Sequence, residues 1–350
     1  MSIPQLLEEK IAAEGPISVA DYMATCLYHP TLGYYMSRDP LGAEGDFITV
    51  PEMTQMFGEL LGLWVADCWI KMGRPAPVQL VECGPGRGTL MLDVLRAISQ
   101  VMPDLSKTLN VHLVEISPHL KAKQQATLVA HGNISWHTSL ADVDLSQPTV
   151  LLANELLDAL PVHQYFLKNG QYFERLVTTA CSGFEFTYAT EPTDTGHDGL
   201  LSDAPATITI YPAGDALLAD IRTRLNGYAL FVDYGGSGHA DTLQAQRHHK
   251  MVDPLAYAGE SDLTTHVDFG HVHAILGTGA STAMDMGPFL LALGLASRAT
   301  ILMERAPDDE TRAQIATVTQ KLVDPNKMGS HFKCLACRSS GLDIPAGFLD

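Results

Sequence analysis

The sequence predicts an α/β protein built on a doubly wound, mostly parallel sheet. Two observations carry that prediction. The first is the stretch 78–89, VQLVECGPGRGT, where an apolar run breaks into glycines at Gly84, Gly86 and Gly88 and is followed by the helical pattern Leu90 to Ile98, the opening β-α unit of such a sheet. The second is the recurrence of short apolar runs of strand length, at Leu109 to Val114, Thr149 to Ala153 and Tyr228 to Val232.

In chain order, Ile3 to Glu14 carries apolar residues at Leu6, Leu7 and Ile11, a helical spacing that Gly15-Pro16 ends. Ser18 opens a second helix, Ser18-x-x-Asp21 resembling a capping box with Asp in place of Glu. An aromatic turn follows at Gly33-Tyr34-Tyr35. The segment 45–69 begins as a loop and becomes helical after Pro51, with Thr49 near the expected cap and Met53, Met56, Phe57, Leu60, Leu61 and Trp64 on the face that packs on the sheet. Asp46, Thr49, Glu52 and Gln55 are the polar groups at its start. They face a cofactor on one reading and are solvated caps on the other.

The glycine stretch bears on the kind of cofactor. Glycine permits positive φ and lets a ligand approach without meeting a Cβ. A dinucleotide fingerprint needs G-x-G-x-x-G, but here the third glycine comes one residue early and Thr89 stands in its place, which disfavours pyrophosphate. The G-x-G-x-G spacing, with an acid two residues before the first glycine, is the pattern of class I methyltransferases, whose cofactor S-adenosylmethionine carries no phosphate. Glu82 suits this chemistry, since a carboxylate at the strand end faces the cofactor's ammonium group directly or through water. A glycine-rich turn without a ligand is the plainer reading. Glu115, at the end of the second strand, has two oxygens that match two vicinal ribose hydroxyls; the competing reading is a helix N-cap acid ahead of Ser117-Pro118.

After a short third strand at Ile134 to Trp136, the fourth runs directly into ANELLDALP, 153–161. In a doubly wound sheet the end of that strand lies beside the first, so Asn154, Glu155 and Asp158 are expected at the switch point. Polar groups emerging from an apolar strand are expensive unless they bind something. The alternative is a capped helix, with Asn154 as N-cap and the acids in its first turn.

From 162 to about 211 the pattern changes to β-hairpins, QYFLKNGQYFERLV turning at Asn169-Gly170. Thr190 to Pro205 reads as a loop excursion and Leu217 to Leu225 as a helix. The fifth strand leads to Asp233-Tyr234-Gly235-Gly236, and the polar stretch 237–265, with His239, Arg247, His248, His249 and Lys250, is expected to be a lid or insertion over the carboxyl edge. Asp268 to Leu276 reads as a helix and Ser281 to Met286 as a sixth strand. Helices at Phe289 to Leu295 and Asp308 to Leu322 follow, and His331 to Arg338 is the closing, antiparallel strand.

Composition sets outer limits. A chain of 350 residues holds one large α/β domain with insertions, or two domains. A formal net charge of −18 disfavours nucleic acid, whose phosphates are held by Lys and Arg. No apolar run approaches the roughly 20 residues of a membrane helix. The acidic, amphipathic N-terminus is unlike a secretory signal or a transit peptide, so the cytoplasm is expected. The six cysteines form no disulfide framework, Cys334-x-x-Cys337 lacks a second pair, and the histidines lack a ligand spacing, so no metal is expected.

Seven stretches then identify a relationship: LGYYM at 32–36, GDFITVPEMTQMFGELLGLW at 45–64, VECGPGRGTLMLDVLR at 81–96, NELLDALPVHQ at 154–164, FVDYG at 231–235, DTLQAQRHHKMVDPLAYAGESDLTTHVDF at 241–269 and MGSHFK at 328–333. With them the chain resembles the MidA-type protein arginine methyltransferases, the family of the mitochondrial complex I assembly factor and its bacterial relatives, over most of its length. It departs from the family's Thr-Gln-Gly before Phe-Leu, having Asp285-Met286-Gly287 before Pro288-Phe289-Leu290. The resemblance implies a class I, Rossmann-like methyltransferase domain with a seven-stranded sheet over 51–350. An N-terminal helical extension over 1–50 and insertions at about 162–211 and 236–267 go with it.

It further implies S-adenosyl-L-methionine held through Gly84, Gly86, Gly88 and Glu115, to which the residue-level reading adds Glu82, Thr89 and Thr49. The implied reaction is methyl transfer to a protein arginine, on a complex I subunit in the best studied members, with Asn154, Glu155 and Asp158 as catalytic candidates. A homodimer is compatible with this. The rivals are methylation of another acceptor, a small molecule or a different side chain, and an assembly chaperone that binds S-adenosylmethionine without turnover.

Overall fold

All six residues of Val78–Cys83 are buried, which a strand achieves only with a neighbour on each side and helices above and below. In the computed structural model, which describes residues 1–38, 49–195, 206–238 and 240–349, this strand, β1, is the third of seven along the main path of an eight-stranded sheet. The others are β2 (Leu109–Val114), β3 (Ile134–His137), β4 (Pro148–Asn154), β5 (Asn226–Gly236), β6 (Met284–Asp285) and β7 (Phe332–Arg338), in the order β3-β2-β1-β4-β5-β7-β6. Pairs from β3 through β5 are parallel, and β7 runs antiparallel to β5 and β6. The order reverses between β1 and β4, where Cys83 pairs with Ala153. The chain therefore leaves both strands at one carboxyl edge, the switch point where ligands bind in such sheets.

This sheet belongs to a unit built from residues 48–156, 217–236 and 269–350. Two of its helices, α1 (Gln55–Lys71) and α2 (Thr89–Val101), share one core with β1 through Leu60, Trp64, Leu80, Val94 and Ile98. They come unusually close. A Cβ on Gly58 would lie 2.5 Å from Asp93 Cβ, and one on Gly62 would lie 2.9 Å from both Ala97 Cβ and the Val94 carbonyl oxygen. The start of α1 differs from expectation. A four-residue helix, Val50–Met53, comes first, and Thr54 caps α1 by accepting from the Met56 N–H at 3.2 Å. Thr49 has the extended backbone of an N-cap, but its side chain makes no capping bond.

The second unit is built from residues 1–47, 157–216 and 237–268. Helices Ile3–Glu14 and Val19–Tyr28 open it, the latter capped by Ser18, whose hydroxyl accepts from the Asp21 N–H at 3.0 Å. The hairpin His163–Lys168 and Gln171–Thr179 turns at Asn169 and Gly170, both at positive φ (53° and 79°), as that dipeptide requires. Thr207–Ile210 extends this sheet beside His163–Lys168, and Phe184–Tyr188 and the short Ile17–Ser18 both pair with Gln171–Thr179. The polar segment expected as a lid contains a three-stranded sheet of Lys250–Val252, Gln244–Arg247 and Asp262–Thr264. The three segments join around a core that includes Leu7, Tyr22, Leu27, Val177 and Leu263. The Tyr22 hydroxyl donates to the Pro254 carbonyl at 3.0 Å and the Tyr35 hydroxyl to Asp262 Oδ1 at 2.6 Å.

The helix expected from Leu217 begins at Pro212. Asp46, His239 and most of the loop excursion, 196–205, lie outside the described residues. Among the described residues no single helix is long and apolar enough to cross a membrane. Gly58→Ala and Gly62→Ala should each lower stability by about 1–3 kcal/mol, the range for overpacking a filled contact. Thermal denaturation checks this. Unchanged midpoints would mean that α1 and α2 do not approach so closely.

Candidate active site

The loop leaving β1 has Gly84, Gly86 and Gly88 at φ of 69°, 53° and 81°. Three left-handed residues within five positions bend the chain sharply enough to bring it from the strand end to the first turn of α2, a path that side-chain-bearing residues follow only under strain. Two residues of the loop and helix start are tied to one acid. The Thr89 hydroxyl donates to Glu52 Oε1, and Arg87 Nη1 donates to Glu52 Oε2 at 3.4 Å. Thr89, expected at the cofactor, thus directs its hydroxyl to Glu52.

Two carboxyl groups sit beside the loop, Glu82 at 2% exposure and Glu115 at 8%. Burial pushes the Glu82 carboxyl up to about 8, with the charge of Glu115 as the second cause. Its Oε2 has no hydrogen-bond partner among the described residues. Such an oxygen is costly in a protein interior, and a cationic ligand removes the cost. Burial also raises the pKa of Glu115, against the lowering effect of bonds from the Ser117 N–H to Oε1 (2.7 Å) and from Gln124 Nε2 to Oε2 (3.0 Å). Ser117, and not Glu115, caps the following helix α3 (Pro118–Thr127), accepting from the Leu120 N–H at 3.2 Å. The N-cap reading of Glu115 therefore fails. The leftover Glu82 oxygen, the second buried carboxylate and the glycine loop fit a ligand that is cationic at one end and carries a ribose, as S-adenosylmethionine is.

At the end of β4, Glu155 is held at φ 49°. Its N–H donates to the Val232 carbonyl at 2.8 Å, and the next N–H, of Leu156, donates to Asp233 Oδ2 at 3.1 Å. Asp233 is 1% exposed, and its other oxygen accepts from the Tyr234 N–H at 2.9 Å. Glu155 Oε1 accepts from the Val50 N–H at 3.3 Å and from Asn154 Nδ2 at 3.2 Å. No helix begins here, because 155–161 is bend and turn, so the reading of Asn154 as a helix cap is overturned. Its Oδ1 is buried without a hydrogen-bond partner among the described residues.

Glu82, the three glycines, Thr89, Glu115, Asn154 and Glu155 therefore belong to the sheet unit and lie at or after the carboxyl ends of its strands. Thr49 shares the unit, beside the Val50 N–H that meets Glu155. Asp158, buried at 4%, belongs to the second unit, where its carbonyl accepts from the Thr265 N–H at 2.9 Å. Sequence reasoning left Glu52 unassigned and missed Asp233 and Gln124. For Asp233 a signal existed, an acid directly after an apolar strand, as at Glu82 and Glu115. Gln124 lies inside a helix with no such cue.

A family profile described as putative S-adenosyl-L-methionine-dependent methyltransferase matches residues 60–285. The protein arginine methyltransferase NDUFAF7 homolog, mitochondrial, of Drosophila melanogaster is 37% identical over 374 residues, covering 96% of this chain and 84% of its own. Human protein arginine methyltransferase NDUFAF7, mitochondrial, is 34% identical over 364 residues, covering 93% and 81%. The crystal structure of a likely methyl transferase from Burkholderia thailandensis bound to S-adenosyl-homocysteine matches at a TM-score of 0.86 and 26% identity, covering 99% of this chain and 93% of that one. The chain belongs to this family of methyltransferases, and its cofactor is S-adenosyl-L-methionine.

Two measurements test the site. Glu82 has a folded-state pKa raised from 4.5 to about 8, so its contribution to stability is full below about 4.5 and is lost as pH rises through about 8. In the cofactor-free protein, Glu82→Gln should flatten that part of the melting-temperature profile; an unaltered slope would show Glu82 to be ionised in the fold. Gly86→Val places a branched side chain at a left-handed position and should abolish binding of S-adenosyl-homocysteine in calorimetry, with the circular dichroism of the fold retained.

Proposed function

We propose that this methyltransferase transfers the methyl group of S-adenosyl-L-methionine to a guanidinium nitrogen of a protein arginine, and that the acceptor is a subunit of respiratory complex I. The observation that carries the reading is Glu155, a carboxylate fixed in a left-handed turn at the switch point. Non-glycine residues at such angles cost about 1–3 kcal/mol and persist where the surroundings hold them, commonly at functional sites. The names of the relatives, protein arginine methyltransferases at 34–37% identity, support the choice of arginine. The cytoplasm, expected from the acidic N-terminal helix, is part of the same proposal.

When bound, the cofactor supplies a methyl group made electrophilic by its sulfonium. The chain's task is then orientation. A guanidinium is planar, fully protonated at neutral pH and matched by a carboxylate in bidentate geometry, so pairing with Glu155 turns one nitrogen toward the reacting carbon. The same negative charge offsets that of an arginine that must eventually lose a proton. Asn154, through its bond to Glu155 Oε1, holds that carboxylate in place. Asp158 is the other acid assigned to the acceptor, and its variant is read separately.

Glu155→Gln and Asp158→Asn should each retain cofactor affinity yet slow methyl transfer by on the order of a hundredfold or more, the scale of positioning and electrostatic terms. Radiolabelled methyl transfer to arginine, measured beside calorimetric binding, checks both. Full turnover in either variant removes that residue from the mechanism. Transfer to an acceptor other than arginine removes the substrate assignment.

A further inference from the structure

We infer that Gln124 is a positioning residue of the cofactor site: it fixes the Glu115 carboxylate relative to the glycine loop so that Glu115 presents two acceptors to a vicinal diol, and Trp136 sets the direction of its amide. The inference rests on the reading of Glu115 as the ribose acceptor.

Gln124 lies in α3 and is fully buried. Its Nε2 donates to the Gly86 carbonyl at 2.8 Å and to Glu115 Oε2 at 3.0 Å, and its Oε1 accepts from Trp136 Nε1 at 3.0 Å. One side chain thus joins the loop after β1, the acid after β2 and strand β3. The orientation of the amide follows from chemistry. An indole N–H only donates, so it must meet the oxygen end of the amide, which leaves both amide hydrogens facing the two acceptors, Gly86 and Glu115. Reversed, the amide would place its oxygen against a carbonyl and a carboxylate.

The consequence for Glu115 is a count of lone pairs. Each carboxylate oxygen offers about two acceptor sites. The Ser117 N–H uses one on Oε1, and Gln124 uses one on Oε2. The Ile116 N–H also acts on the carboxylate, and the capacity that remains on its two oxygens is what a pair of adjacent hydroxyls can use. Without Gln124 the carboxylate keeps its Ser117 N–H bond on Oε1 but loses the bond that fixes Oε2, and the Gly86 carbonyl loses its bond from the Gln124 amide.

The test is calorimetric affinity for S-adenosyl-homocysteine, with melting temperature recorded alongside, for Glu115→Ala, Gln124→Met, Trp136→Phe and the double variant Glu115→Ala/Gln124→Met. Each single variant should weaken binding, Gln124→Met by about tenfold, as expected for one hydrogen bond to a charged group. In the double variant the losses should fall well short of additive, because Gln124 acts through Glu115. Trp136→Phe decides the matter if Gln124→Met does not fold. Wild-type affinity in both Gln124→Met and Trp136→Phe, with Glu115→Ala weakened, overturns the inference and leaves the ribose reading standing. Additive losses, or lowered melting temperatures at unchanged affinity, also overturn it. Wild-type affinity in Glu115→Ala removes the ribose reading itself, and the inference with it.

Discussion

Two carboxyl groups buried at the carboxyl edge of a parallel sheet impose most of the site's arrangement. An ionised carboxylate taken out of water costs several kcal/mol unless hydrogen bonds or a counter-charge replace the solvent. Glu115 is supplied with N–H donors from a helix cap and a buried amide. Glu82 is not; one of its oxygens has no hydrogen-bond partner among the described residues, and its carboxyl is pushed toward the neutral form. The asymmetry is informative. A site that holds one acid with several donors and leaves its neighbour unsatisfied is prepared for a ligand that brings hydroxyls to the first and positive charge to the second.

Much of this was legible in the sequence because the strands of the sheet are short and its central strand, β1, is buried along its whole length. The continuous apolar run of β1, the glycines after it and the acids ending β1 and β2 are local patterns, and each sits where the pattern placed it. What escaped was long-range. Gln124 gains its role from Glu115, nine residues away, and from Gly86 and Trp136 on separate elements, and no periodicity announces such a meeting. The start of α1 was misplaced for a related reason. Pro51 suits a first turn, yet the backbone breaks at Thr54, where a second threonine offers an equally good cap. For 155–161 a capped helix was the alternative reading, and the bonds that the first two N–H groups donate to the Val232 carbonyl and to Asp233 hold a turn in its place.

The second unit shows the same limit on a larger scale. Its hairpin could be read from Asn169-Gly170 alone, because a type I′ turn is a two-residue property. Its common core could not. Ile17 pairs with Val177, and the hydroxyls of Tyr22 and Tyr35 reach Pro254 and Asp262, contacts that span more than a hundred residues. Closing loops of that length adds only slowly to the entropic cost, so three remote segments can share one core, while their ordering must wait for the intervening chain.

The turn after β4 ties these constraints together. A glycine would take the left-handed angle of Glu155 without penalty, and a helix would dispose of the polar groups that follow β4 more simply. Instead the chain keeps a half-buried glutamate at a strained angle and commits a buried acid, Asp233, to the N–H groups of Leu156 and Tyr234. Asp233 is the last buried residue of β5, which pairs in parallel with β4 through Val232 and Asn154. The register of two neighbouring strands therefore places the clamp beside the residue it restrains. The strain is compensated locally, by groups whose positions are already fixed by the sheet, so the backbone that carries Glu155 is held with the strands, while the Val50 N–H and the Asn154 amide hold its carboxylate. The proposed role in orienting an acceptor requires that rigidity, because a carboxylate on a mobile loop would bind a guanidinium without aiming it.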